Sequence, residues 1–181
     1  MVPSYTNSIM ATASENTELK KIHNLKSKWD LWAHLPQEPD WKHIESFKKI
    51  YQFKTIEETI GITESLPHGL VKNCMLFIMK DGIKPMWEDP TNRNGGSFSY
   101  KVSNKNVFGV WRDLTYVLIG ESISSNITFV NSVAGITISP KKNFCIVKIW
   151  MTNCDHQNPQ VISDIVNLSS QGCIFGKHPE L

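Results

Sequence analysis

The sequence predicts an α+β fold, an antiparallel sheet with helices packed on one face and the other face left as a binding surface. Three observations lead there. Short apolar or alternating runs recur with turn residues between them, helical spacing of apolar residues is confined to a few segments, and 181 residues make one ordinary domain.

Residues 1 to 22 are rich in Ser, Thr and Asn and poor in large apolar groups, so a flexible tail is expected, followed by a single domain over 23–181. Trp29-Asp30-Leu31-Trp32 alternates as a half-buried strand does. Pro36 and Pro39 break the chain, and the loop they form carries Trp41 on its far rim, where an exposed aromatic is informative. Phe47 to Phe53 favours a strand, and Thr55 followed by Glu57 and Glu58 reads as the capped start of a helix kept short by Gly61 and Pro67. Cys74 to Met79 is an apolar run suited to a buried strand, and Asp81-Gly82 then favours a tight turn.

After the polar loop Pro90 to Gly96, Ser97 to Ser103 alternates as a strand and is expected to pair with the strand before Asp81. Val107, Val110, Trp111, Leu114, Val117 and Leu118 recur at helical spacing, with Arg112, Asp113 and Tyr116 turned away from the buried stripe and Gly120 closing the helix. Strands are expected around Phe129 to Ile138 and Phe144 to Met151, joined by the basic turn Pro140 to Asn143. Asn158-Pro159 predicts a last helix with a face of Val161, Ile165 and Leu168, and Cys173 to Phe175 a final short strand.

Composition narrows the function classes. A net charge of +2 does not favour a wide basic surface for duplex nucleic acid, and the basic residues are seventeen Lys against two Arg, Arg93 and Arg112. Cys74, Cys145, Cys154 and Cys173 form no CxxC pair, and Cys154 with His156 lacks a second ligand pair, so neither a zinc site nor any other metal or cofactor is assigned. No apolar run is long enough to span a bilayer and the N-terminus has no apolar signal region, which predicts a cytoplasmic chain, possible in the nucleus as well, whose sequons at Asn126 and Asn167 are idle.

The stretch with chemistry is Lys80 to Asp89, KDGIKPMWED. Trp87-Glu88 at a sheet edge offers a stacking plane beside a carboxylate, which suits a flat cationic ring with N–H donors along one edge. A core Trp beside a solvated Glu is the commoner meaning of such a pair in isolation.

The set of motifs is more specific. WDLW at Trp29 to Trp32, Trp41, DGIKPMWED, Gly95-Gly96, Trp111, LIGES at Leu118 to Ser122 and IWMTNC at Ile149 to Cys154 occur in one order over about residues 23 to 176. In this the chain resembles the eukaryotic translation initiation factor 4E family, which binds the 7-methylguanosine cap of messenger RNA. The resemblance implies a curved antiparallel sheet of about seven to eight strands with the cap on its concave side and three helices on its convex side. It also implies that Trp41 and Trp87 sandwich the methylated base. Glu88 would accept the guanine N1 and N2 protons while the Trp87 amide faces O6, and Trp150 would lie near the methyl group; Trp29, Trp32 and Trp111 would serve the core. The family binds a scaffold, initiation factor 4G, and repressors that mimic it.

Several positions depart from the family pattern. Ser97 stands where Arg follows the Gly pair, and Ser139 and Ile146 replace basic residues before Trp150. Lys148, which shares strand parity with Trp150, and Lys141, Lys142 and Arg93 are the substitute phosphate ligands that the sequence offers, and flexible lysines predict strong salt dependence. On the partner face Ile60 replaces an aromatic anchor and Arg112 and Tyr116 replace leucines, while Ile56, Asp113 and Glu121 keep the family character. The family's loop near the cap after the last strand is expected to be shortened here, and the Lys, Asn and Ile bias points to an A+T-rich genome such as that of a virus or protist, with host cytoplasm as the site of action if viral.

The expected function is therefore cap binding by a monomer that supports initiation through a 4G-like scaffold. The alternative is a repressor or decoy that occupies caps without recruiting it. An enzyme is disfavoured: there is no Ser/His/Asp grouping, no HExxH and no hydrolase-spaced acid pair, and Gly172 to Lys177 misses phosphate-loop spacing by one residue.

Overall fold

The computed structural model describes residues 21–179, so the expected tail lies outside the described residues except for Lys21 and Ile22. Its strands are β1 (Asn24–His34), β2 (Phe47–Thr55), β3 (Met75–Lys80), β4 (Gly96–Ser103), β5 (Val133–Pro140), β6 (Phe144–Met151) and β7 (Ile174–Lys177). They form one curved sheet in the order β2-β1-β3-β5-β6-β4-β7, and every neighbouring pair is antiparallel. The α-helices are α1 (Ile56–Ser65), α2 (His68–Asn73), α3 (Val107–Ile119) and α4 (Ile127–Ser132), and 3-10 turns stand at Ile44–Ser46 and Pro159–Val161.

Strand side chains alternate between faces, and this alternation sorts the residues into two clusters. Trp29 and Leu31 of β1, Leu76 and Ile78 of β3, Phe98 of β4 and Val147 and Ile149 of β6 join the buried stripe of α3 and Phe129 of α4 in the main core. Trp111 and Leu114 of α3 are fully buried there, and burial of the Leu114 side chain alone is worth roughly 1.5–3 kcal/mol relative to exposure. On the opposite, concave face Phe47, Phe77, Met79, Met86, Ala134 and Trp150 form a smaller cluster.

The start of α1 follows from its first residues. The Thr55 hydroxyl accepts from the Glu58 amide at 3.1 Å while the Glu58 carboxylate accepts from the Thr55 amide at 3.2 Å, a reciprocal capping box.

Four expectations are corrected. The strand from Ser97 pairs with β6 and β7, not with β3, because the β5–β6 hairpin occupies the sheet between them. Residues 127–132 are helical: the Asn126 side chain accepts from the amides of Thr128 and Phe129, at 3.0 and 3.3 Å, and caps a turn that apolar content alone makes strand-like. The predicted last helix is only a three-residue 3-10 turn, Pro159–Val161, after which Ile165 and Leu168 bridge to each other. Trp32 does not join Trp29 and Trp111 in the main core; one-residue alternation puts it on the concave face, half-buried, with the Lys49 ammonium 5.9 Å from its ring. The short α2 also lies where no helix was expected.

Two glycines give opposite predictions. A Cβ at Gly95 would run into the Met151 backbone carbonyl, whereas nothing lies near one at Gly61 inside α1. In urea unfolding, Gly95→Ala should destabilise the domain by roughly 1–3 kcal/mol, and Gly61→Ala should stabilise it by about 0.5–1 kcal/mol.

Candidate functional site

Two loops reach over the concave cluster, and both are held largely by side chains, with only the 3-10 turn Ile44–Ser46 in the first. The first joins β1 to β2. His34, buried at the end of β1, donates from Nε2 to the Asp40 carbonyl at 2.7 Å, and the Asp40 carboxylate accepts from the Lys42 amide at 2.8 Å and meets His43 Nδ1 at 2.6 Å. The Lys42 amide, with His43, holds the Asp40 carboxyl below the usual carboxylate range. Trp41 is thereby clamped at both neighbours. Its ring stacks on His34, with centroids 3.5 Å apart and planes 15° apart, and meets Phe47 edge-on at 6.1 Å. The residue is still 49% exposed.

The second loop, residues 81–95, joins β3 to β4. Gly82 sits at φ 85°, which Gly adopts without steric cost, and Ile83 N–H closes the turn onto the Lys80 carbonyl at 2.9 Å. Met86 is buried in the concave cluster, Trp87 and Glu88 point outward, and Asp89 is buried again. Asp89 accepts from the amides of Lys84 and Thr91, at 3.0 and 2.8 Å. Asn92, fully buried, donates to the carbonyls of Lys84 and Met86 at 2.9 and 2.8 Å. These contacts hold Trp87, 42% exposed, at a fixed point of the loop. Among the described residues the Glu88 carboxylate has no hydrogen bond or ion pair, so its acceptors remain available to a ligand edge.

The two exposed indoles share a base. Trp41 leans on Phe47, Trp87 follows Met86, and Phe47 and Met86 belong to one cluster with Trp150. Trp150 itself is only 3% exposed, edge-on to Phe77 and tilted against His178 at 4.9 Å. It is a floor residue rather than a rim residue.

The candidate phosphate ligands are less uniform. Lys148 stands on the same face of β6 as Trp150, opposite Ser99 of β4, and is half-buried; burial first, and Lys141 second, push its ammonium pKa down. Lys141 and Lys142 are exposed in the β5–β6 turn, and the Arg93 guanidinium donates to the Glu88 carbonyl at 3.0 Å. Two histidines went unnoticed in the sequence. His34 could have been found from β1 parity, since it shares a face with Trp32; His178, beyond β7, left no local signal.

On the convex side Ile56 and Ile60 of α1 are about half exposed, at 46% and 48%. The Tyr116 hydroxyl of α3 donates to Glu64 of α1 at 2.7 Å, and burial together with Glu64 pushes its pKa up to about 12. Arg112 is engaged with its own neighbour Asp113 at 2.9 Å.

Comparison with known proteins agrees with this architecture. The family model described as eukaryotic initiation factor 4E matches residues 24–172. The chain is 29% identical over 154 residues to eukaryotic translation initiation factor 4E-2 of Schizosaccharomyces pombe, covering 82% of this chain and 62% of that protein. It is 31% identical over 157 residues to eukaryotic translation initiation factor NCBP of Triticum aestivum, covering 83% and 66%. It thus spans somewhat under two thirds of the length of these relatives. Among solved structures, Caenorhabditis elegans eIF4E-3 in complex with the 4E-binding protein Mextli superposes with a TM-score of 0.65 at 22% identity, over 74% of this chain and 78% of that one. Schistosome eIF4E complexed with m7GpppG and 4E-BP gives 0.62 at 25% identity, over 75% of each. The match over residues 24–172, on a sheet whose concave face carries the paired indole loops, establishes that the chain belongs to the eukaryotic initiation factor 4E family.

Proposed function

We propose that this chain binds the 7-methylguanosine 5′ cap of messenger RNA without chemical turnover, as a single domain over 23–181, and acts in translation initiation in the cytoplasm. The observation that carries this reading is the pair of half-exposed indoles, Trp41 and Trp87, each fixed by a hydrogen-bonded loop over one concave cluster.

Methylation at N7 leaves guanine with a delocalised positive charge. Two indole faces bind such a ring by stacking and cation–π attraction, worth about 1–3 kcal/mol per face. The Glu88 carboxylate supplies two acceptors for the N1 and N2 protons, a pattern that adenine cannot satisfy. Trp150 closes the floor near the methyl group. Lys148, Lys141 and Lys142 hold the phosphates, with Arg93 contributing the donors that its loop contact leaves over. Because His34 backs the inner face of Trp41, the base enters against the opposite face of that indole.

For the convex face we propose a helical segment of a 4G-like scaffold as partner, lying across Ile56, Ile60, Arg112, Asp113 and Tyr116. With Ile60 in place of an aromatic anchor and Arg112 turned onto Asp113, that segment differs in its anchors from the family's usual ligand. A pull-down on immobilised 7-methyl-GTP separates the functions: recovery of a scaffold supports initiation, whereas recovery of this chain alone supports a repressor.

In a fluorescence titration, Trp41→Ala or Trp87→Ala should each weaken 7-methyl-GTP binding by about 1–3 kcal/mol, roughly fivefold to 150-fold, and unchanged affinity would sink the sandwich assignment. Glu88→Gln keeps the shape and removes the charge. It should cost about 1–3 kcal/mol and narrow the preference for guanine over adenine cap analogues.

A further inference from the structure

We propose that His178 is a proton-gated ligand for the phosphate arm of the bound nucleotide, acting with Lys148 in the place where the family pattern expects a fixed arginine. The inference rests on the cap reading of the same site.

The geometry begins at the β4–β7 pairing. Ser97 pairs with Gly176 and with Trp150, and His178 N–H continues the ladder to the Gly95 carbonyl at 2.9 Å. Alternation then puts Ser97, Trp150, Lys148, Gly176 and His178 on one face. Ser97 is too short to reach a ligand and is itself buried. The His178 ring lies beside it against Trp150, only 7% exposed.

The tautomer follows from its partner. Nδ1 lies 2.7 Å from the Asn92 carbonyl, which can only accept, so Nδ1 carries a proton. Nε2 is buried and has no partner among the described residues. A buried ring nitrogen without a partner is costly, and it needs either a donor or, if protonated, an acceptor. The groups that surround it indicate which. From β6 it faces Trp150 and Lys148, with Lys141 behind Lys148; from β4 it has Ser97 and Ser99 on the same face; from the 81–95 loop it has the Asn92 carbonyl. Among the described residues no carboxylate acts on the ring.

Burial, opposed by the Asn92 carbonyl and reinforced by Lys148, keeps the ring below the ordinary histidine range and neutral when nothing is bound. A phosphate drawn in by Lys148 reverses the balance, since it offsets that ammonium and offers oxygens that only a protonated Nε2 can donate to. Lys148 is the flexible element, able to swing aside as the anion arrives. Binding and proton uptake are therefore linked, and the phosphate arm is held more tightly as pH falls toward 6.

The test compares 7-methyl-GTP with the nucleoside 7-methylguanosine, which shares the base and lacks phosphates, in titrations of the full chain from pH 8 to pH 6. The ratio of the two affinities cancels the titration of the base and every contact made to it. Protonation of the free ligand's terminal phosphate near pH 6, with a pKa of about 6, lowers this ratio on acidification, whereas proton uptake by His178 raises it. The parent should show a rise of roughly three- to tenfold, and His178→Gln a flat or falling ratio. Lys148→Met should lower the ratio at pH 8 and move the midpoint of the rise to higher pH.

If His178→Gln fails to fold, the ring resonances of His178 in the parent serve instead. Their midpoint should move up with 7-methyl-GTP and stay in place with 7-methylguanosine. Binding of both ligands with a pH-dependent ratio identical in parent and variant, or no movement of the resonances, would overturn the proposal alone. Failure of both ligands to bind would overturn the cap reading with it.

Discussion

Asn92 is the contact on which the binding face depends. Its amide ties the carbonyls of Lys84 and Met86, its own N–H reaches the Asp89 carbonyl at 2.9 Å, and its carbonyl accepts from both Gly95 and His178. One buried side chain and its peptide therefore connect the loop that presents Trp87 and Glu88, the residue that leads into β4, and the residue that follows β7. A loop of fifteen residues without regular structure would otherwise lose conformational entropy for little return; here buried amide and carboxylate groups replace the missing ladder. The loop that carries Trp87 and Glu88 and the strand ends beside His178 are thus mechanically one object.

The division of the sheet into two apolar faces supplies the rest of the frame. The main core under the helices carries most of the burial, while the concave cluster is small and rimmed by indoles that it supports without covering. That asymmetry is what a binding surface requires. A large concave cluster would close over Trp41 and Trp87, and none at all would leave them without a rigid base. His34 adds a further element, a flat ring behind Trp41 that fixes the plane of the indole and leaves its outward face for a ligand.

Much of this was legible in the residues, and the failures have particular causes. The capping box at Thr55, the α3 stripe, the exposure of Trp41 and the shared parity of Lys148 with Trp150 are local properties, and local patterns reported them correctly. The partner of β4 was misjudged because strand pairing is decided by what else enters the sheet, and the β5–β6 hairpin lies thirty residues further along the chain. In the sequence Asn126 shows only as an idle sequon, because its capping geometry exists only once the next turn is helical. His178 was invisible for the same non-local reason. Its environment is made of β6, β4 and a loop, none of them near it in sequence.

On the proposed cap reading, lysine and histidine in place of fixed arginines change how the phosphate end works. An arginine presents a planar fork whose charge does not vary in the working pH range, so it contributes the same attraction whatever surrounds it. Lys148 is half-buried beside a second ammonium, and His178 is buried with one nitrogen satisfied and the other waiting. Both groups have had their charge disfavoured by burial, and on that reading each is restored by the arrival of an anion. The cost of charging them is then borne only in the complex, so the phosphate contribution is made conditional on pH and salt. On that reading the stacking of the base between Trp41 and Trp87 depends less on salt, because neither indole carries a charge that ions can screen.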